Sequence, residues 1–143
     1  MKKSFNLSAS TAKAIDFFWE TKNEQQKRSS DSSNRGAVVG GKQLDGFLIL
    51  LRDACMSVGV PPECIYDKNN YVPGFFRSSK DWDFIIISPS GKLLVIIELK
   101  SQVGSYGNNF NNRTEEALGN ATDFWMRIGS KNFQRSVRHG LVT

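Results

Sequence analysis

The chain has 143 residues, 39% hydrophobic and 23% charged, and its nineteen Lys and Arg against fourteen Asp and Glu leave a net charge of +5. That size suits one domain with a real core, and the composition is ordinary for a globular protein. The two cysteines, Cys55 and Cys64, form no metal-ligand pattern and suit a reducing cytosol, while Met1–Leu7 has no apolar h-region and no stretch approaches membrane-spanning length. The expectation is a soluble, cytoplasmic protein with no membrane partner, and its basic excess is compatible with a polyanion.

The first predicted element is a helix, capped by Ser8 or Ser10 and running to about Lys27, with Ala12, Ile15, Phe18 and Trp19 on one face. Residues 28–41 form a Ser-rich stretch, whose part Arg28 to Gly36 has no apolar anchor and reads as a mobile loop. A second helix is predicted over Lys42 to Val58. Leu44, Phe47, Leu48, Leu51, Cys55 and Val58 form its stripe, Gly59 ends it, and Pro61-Pro62 prevents resumption. Glu63 to Ser79 is irregular, with a short strand expected near Ile65 or Phe75.

A strand hairpin follows. Phe84 to Ile87 and Leu93 to Ile97 are apolar runs around Ser88-Pro89-Ser90-Gly91, a type I turn with Pro second and Gly fourth. A Gly/Asn-rich loop is expected over Gly104 to Asn112. Asn112-Arg113-Thr114-Glu115 then fits a capping-box start for a helix with Ala117, Ala121, Phe124, Trp125 and Ile128 on one face. A basic tail closes the chain.

The chemistry gathers at the open end of the hairpin, where Asp83 precedes the first run and Glu98-Leu99-Lys100 ends the second. Glu98 and Lys100 lie two residues apart and so share a strand face. Charges ending a strand as buried as Leu93 to Ile97 is expected to be are costly unless they are paired or hold a metal. Two carboxylates suit a hard divalent cation, and a neighbouring lysine can orient or deprotonate a water or neutralise charge developing on a phosphate. Asp83, Glu98 and Lys100 are thus the minimum parts for metal-assisted phosphodiester hydrolysis. Against this stands the plain reading, a strand-start Asp and a solvated strand end.

Register decides between them. Asp83 falls beside Glu98 if Ser88 to Gly91 form a four-residue loop with Ile87 opposite Lys92, which sets Asp83 opposite Ile96. A three-residue loop with a bulge at Gly91 turns Asp83 to the other face unless a further bulge intervenes, and Asp81 then becomes the candidate ligand.

Four segments carry a resemblance: Pro73-Gly74-Phe75-Phe76-Arg77, Lys80-Asp81-Trp82-Asp83, Glu98-Leu99-Lys100-Ser101-Gln102 and the block Gly107-Asn108-Asn109-Phe110-Asn111-Asn112-Arg113-Thr114-Glu115-Glu116-Ala117. The pattern is similar to the PD-(D/E)xK nuclease superfamily and, from about Asp45 to Trp125, resembles the XhoI-type family of type II restriction endonucleases. The resemblance implies an α/β, restriction-endonuclease-like core with a small mixed central sheet flanked by helices. It also implies a Mg²⁺-dependent endonuclease acting on double-stranded DNA at a palindromic site (CTCGAG), as a homodimer if the chain is complete. Asp83 and Glu98 would be the metal ligands with the Leu99 carbonyl as a third, and Lys100 the catalytic lysine. Trp82 stands where the superfamily's name has proline. The superfamily core needs a fourth strand, which only Leu141-Val142-Thr143 could begin, so the C-terminus is expected to be incomplete. The alternatives are a non-cleaving DNA-binding remnant, or another nuclease of this superfamily such as a repair nuclease or junction resolvase.

Asn108, Asn109, Asn111, Asn112 and Arg113 follow the catalytic strand and are candidates for contact with DNA. Asn pairs bidentately with adenine and Arg with guanine, although Asn and Gly are equally turn formers. Gly36 to Gln43 nearly spells a phosphate-binding loop, but it lacks the Ser or Thr after Lys42 and follows a polar loop, so no nucleotide cofactor is expected. Asp45 in a first helical turn is explained by the helix dipole. His139, Trp19, Trp82 and Trp125 need no catalytic role. Lys131, Arg135 and Arg138 recur at helical spacing, as a solvated basic face or a track for phosphates.

Overall fold

Phe84-Ile85-Ile86-Ile87 is an unbroken run of large apolar residues, and it becomes the central strand of a sheet. The computed structural model describes residues 4–31, 41–103 and 106–129, with the side chains of 28–31 and 106–109 excepted. The elements in order are α1 (Leu7–Asp31), α2 (Asp45–Ser57), β1 (Ile65–Tyr66), β2 (Tyr71–Val72), β3 (Lys80–Asp81), β4 (Phe84–Ile87), β5 (Leu93–Ile97) and α3 (Tyr106–Ile128). They form two compact units, Met1–Pro62 and Glu63–Thr143. Most of the Ser-rich loop and phosphate-loop look-alike (32–40), the basic positions Lys131, Arg135 and Arg138, His139 and the expected last strand at 141–143 lie outside the described residues. Among those described, no helix is long and apolar enough to cross a membrane.

In the first unit α1 packs on α2 through a close backbone approach at Gly46. A Cβ there would stand 3.2 Å from the Cα of Ala14 and 3.1 Å from Cδ1 of Phe17. The contact line is therefore centred on buried Ala14, with Phe18 set edge-on to Phe47. Ile15 and Trp19, expected on the buried face, are largely exposed because they lie to one side of that line. The helix cap is Asn6, whose Oδ1 accepts the Ala9 N–H at 3.0 Å; the expected Ser8 and Ser10 are already helical. The helix also outruns its expected end near Lys27, because no Gly or Pro precedes Gly36 and propagation costs little once a helix is nucleated. α2 stops as its sequence predicts. Gly59 takes φ +97°, and the Gly59 and Val60 N–H groups return to the carbonyls of Met56 and Cys55, a Schellman closure.

In the second unit the sheet runs β1-β4-β5, antiparallel throughout, and β2 pairs with β3 in a separate antiparallel ribbon. The α/β class holds, but the expected mixture of parallel and antiparallel pairing is absent among the described residues. β1 confirms the strand expected near Ile65. All four residues of β4 are buried, whereas β5 lies at the edge of the described sheet, with Leu94 61% exposed. The expectation of a fully buried β5 is corrected on that point, because only one neighbour covers it.

The hairpin tip departs from the four-residue loop. Gly91 donates to the Ser88 carbonyl, Ser88 N–H donates to the Lys92 carbonyl, and Gly91 has φ +77°: a three-residue loop with a glycine bulge. That alone would turn Asp83 away. A second irregularity between Ile86 and Ile87 leaves Leu94 as an extra residue, after which Ile86 faces Val95 and Phe84 faces Ile97. One further step sets Asp83 opposite Glu98 itself, rather than opposite Ile96.

Two expectations for α3 are corrected. It begins at Tyr106, not Asn112, so the capping-box residues lie inside the helix, where Thr114 Oγ1 donates back to the Phe110 carbonyl at 3.0 Å. It is also rolled relative to its apolar pattern. Phe124 alone of the expected face packs on the core of Val72, Trp82, Ile85 and Ile87, while Trp125 is 69% exposed and Asn120 and Asp123 are buried. The cause is the loop at 74–77. Asp123 Oδ1 accepts the Phe75 and Phe76 N–H groups at 2.9 and 2.6 Å, its Oδ2 meets Arg77 Nε at 3.0 Å, and Asn120 Oδ1 accepts from Arg77 at 3.2 Å. Gly74 is required there, since a Cβ would run into the Asp123 carboxylate.

Candidate active site

The backbone that delivers Asp83 is held by a residue to which no sequence signal pointed. Asn70 is fully buried, and its Nδ2 donates to the carbonyls of Trp82 at 3.0 Å and Asp83 at 3.4 Å. Its own carbonyl accepts the Trp82 N–H, and its N–H donates to Asp81 Oδ1 at 2.8 Å. The two neighbouring aspartates are thereby separated in role: Asp81 caps a backbone, while Asp83 reaches across to the segment just after β5 and accepts the Leu99 N–H on Oδ2 at 2.6 Å. Asn70 follows Asn69, which adopts φ +56°, so in sequence the pair reads only as a turn.

Glu98 sits opposite Asp83 and gives one oxygen, Oε1, to two ammonium groups, Lys100 Nζ at 2.7 Å and Lys80 Nζ at 3.0 Å. Lys100 in turn reaches Glu116 Oε1 on α3 at 2.7 Å, and Glu116 Oε2 meets Arg113 Nη1 at 3.2 Å. The result is an alternating ladder, Lys80, Glu98, Lys100, Glu116, Arg113. Lys80 also lies 4.8 Å from the Trp82 ring centroid. Lys80 and Glu116 were not found as site residues from sequence. Glu116 is visible there only as the residue one turn after Arg113, and the link to Lys100 is tertiary.

The electrostatics follow this crowding. Burial pushes the Asp83 carboxyl above its ordinary value and the Glu98 charge adds to that, against the Leu99 N–H and the two lysines. Burial works against the Lys100 ammonium, but Glu116 and Glu98 outweigh it and hold its pKa up. The hydrogen bond from Lys100 keeps the Glu116 carboxyl below its usual range, with Arg113 assisting. Two facing carboxylates, one resisting ionisation, are what a hard cation would relieve, and Mg²⁺ asks for only one or two carboxylates with waters completing its shell. The donor set fits such an ion. Among the described residues no cluster of three or more His, Cys, Asp or Glu is placed to hold a metal ion.

The structure thus brings Asp83, Glu98, Leu99 and Lys100 together at one end of the hairpin. Asn111, Asn112 and Arg113 stand exposed on the early turns of α3, with Arg113 tied to the site through Glu116. Asn108 and Asn109 belong to α3 by backbone, and their side chains lie outside the described residues.

Residues 23–141 match a family model described as restriction endonuclease XhoI. Similar curated proteins include the type II restriction enzyme BstVI of Geobacillus stearothermophilus, 43% identical over 118 residues, covering 78% of this chain and 53% of that protein. The type II restriction enzyme XhoI of Xanthomonas vasicola is 40% identical over 113 residues, 74% of this chain and 45% of its own. The type II restriction enzyme AbrI of Azospirillum brasilense is 37% identical over 128 residues, 85% and 57% respectively. The chain spans about half the length of these curated relatives. No solved structure matches.

Proposed function

The chain belongs to the XhoI restriction endonuclease family, and from that premise we propose that it is the catalytic part of a type II restriction endonuclease, hydrolysing phosphodiester bonds of double-stranded DNA. The observation that carries the reading is the placing of Asp83 and Glu98 one step beyond the last pair of β4 and β5, close enough for the Glu98 charge to act on Asp83, with the Lys100 amine 2.7 Å from Glu98.

In this reading Asp83, Glu98 and the Leu99 carbonyl would hold Mg²⁺, which would supply Lewis-acid polarisation of the scissile phosphate. Asn70 holds the backbone at Asp83 and the Leu99 N–H holds its carboxylate, so both would orient it as a metal ligand. Lys100 donates to the attacking water or to a phosphate oxygen, offsetting the charge that grows there. Lys80 adds a second positive charge beside the same Glu98 oxygen. Asn111, Asn112 and Arg113, together with Asn108 and Asn109, are proposed to face the duplex, and Asp81 is assigned a structural part. The palindrome CTCGAG, a homodimeric active form and a cytoplasmic location go with the family reading.

The test is plasmid cleavage by the full chain with and without Mg²⁺, alongside Glu98→Ala and Lys100→Ala. Discrete fragments that need Mg²⁺ and vanish in both folded variants support the proposal. Wild-type cutting by either variant sinks this mechanism. A mobility shift without any cleavage would leave only DNA binding, and structure-selective nicking would point to a different nuclease class.

A further inference from the structure

Glu98 Oε1 is claimed twice, by Lys80 at 3.0 Å and by Lys100 at 2.7 Å. A cation bound by Glu98 needs that same carboxylate, so both lysines oppose it by charge. They differ in what else they can hold. Lys80 has the Trp82 ring and, at 3.4 Å, the Asp81 carbonyl. Lys100 has Glu116 Oε1 at 2.7 Å, a carboxylate from another element. Glu116 is itself steadied on its other oxygen by Arg113, one helical turn earlier. Everything needed to keep the Lys100 amine beside the site without Glu98 is therefore on α3.

We infer that Glu116 is a positioning residue that retains the Lys100 amine when Glu98 takes a divalent cation, so that lysine and cation do not compete for one carboxylate. The inference rests on the reading that Asp83 and Glu98 hold the cation, and it adds α3 to the machinery. Without Glu116 the Lys100 amine has Glu98 as its remaining carboxylate partner in the ladder. The cation-competent population then falls, and apparent affinity falls by the same fraction. A half-exposed ion pair contributes little to folding, so stability is not the readout.

The experiment is calorimetric titration of Ca²⁺ into the full chain without DNA, so that no turnover enters. It compares wild type, Glu116→Ala, Glu116→Gln, Lys100→Met and the Glu116→Ala/Lys100→Met double variant, each checked for unchanged thermal unfolding. Glu116→Ala should bind Ca²⁺ about fivefold more weakly, the loss expected if the competent fraction drops to roughly a fifth. Glu116→Gln, which keeps an acceptor for the ammonium but loses the charge, should recover part of it. With Lys100 already replaced, Glu116→Ala should change little. Equal losses in both backgrounds would mean a general charge effect and overturn the inference, as would wild-type affinity in Glu116→Ala. A wild-type chain that binds no Ca²⁺ removes the cation reading itself, and is recognised before any variant is made.

Discussion

Replacing Asp123 by Ala should cost far more stability than replacing Trp125 by Ala, the reverse of what their hydrophobicity suggests. Asp123 is 4% exposed and accepts two backbone N–H groups, from Phe75 and Phe76, as well as pairing with Arg77. Hydrogen bonds to a charged acceptor contribute roughly 1.5–3 kcal/mol each, so the two backbone bonds amount to about 3–6 kcal/mol before relaxation. The Arg77 side chain is 41% exposed, and a pair that open to water adds little. Phe75 and Phe76 are themselves exposed, so water replaces part of what is lost, and about 2–4 kcal/mol remains. Trp125, 69% exposed, has only its remaining fraction to lose, about 0.5–1 kcal/mol at the usual value for a buried large side chain. Urea unfolding of the full-length variants, followed by circular dichroism, measures both. A Trp125→Ala loss larger than that of Asp123→Ala would mean that α3 presents its other face to the sheet, and the account of the loop at 74–77 would fall with it.

Asp83→Asn should be more stable than wild type at neutral pH. Burial first, and the Glu98 charge second, raise the Asp83 pKa above its ordinary 3.8. Stability from this group is thus complete below that value and lost as pH rises through the raised one, so thermal unfolding of the two proteins should converge in acid; a variant equally destabilised at every pH would contradict this. Asn70→Ala should cost about 1–3 kcal/mol in denaturant unfolding, because the carbonyls of Trp82 and Asp83 lose their buried donor; a loss below about 0.5 kcal/mol would show that Asp83 is held by other means. Arg113→Ala in an active form should weaken binding to cognate and scrambled duplexes equally and make the salt slope shallower by about 1, the mark of a phosphate contact. A loss confined to the cognate duplex would mean base readout, and no loss on either would retire Arg113 as a DNA contact.

What was legible in the sequence was local. α2 and its Gly59 stop, the Pro89–Gly91 turn and the placing of Asp83 and Glu98-x-Lys100 at the ends of apolar runs all depend on neighbours a few residues apart. What was illegible depends on distant partners. The roll of α3 is set by a carboxylate meeting backbone N–H groups 47 and 48 positions earlier, which no helical periodicity encodes. Asn70 enters the site through Trp82 and Asp83, Lys80 through Glu98, and Glu116 through Lys100. The start of α3 is illegible because Asn112 and Glu115 have the spacing of a capping box, while the helix already runs from Tyr106 and carries both inside it.

The extra residue at Leu94 has a consequence for how such sites tolerate change. A strand that carries one spare residue midway works as a slip joint: lengthening or shortening the tip by one position can be absorbed by opening or closing the bulge, while the far end stays in step. Leu94 is 61% exposed, so taking it in or out disturbs little packing. The number of residues between two carboxylates is then a weak signature of whether they meet. Chains whose spacing differs by one from this one can bring the same two carboxylates together, and a search that insists on a fixed interval will pass over them.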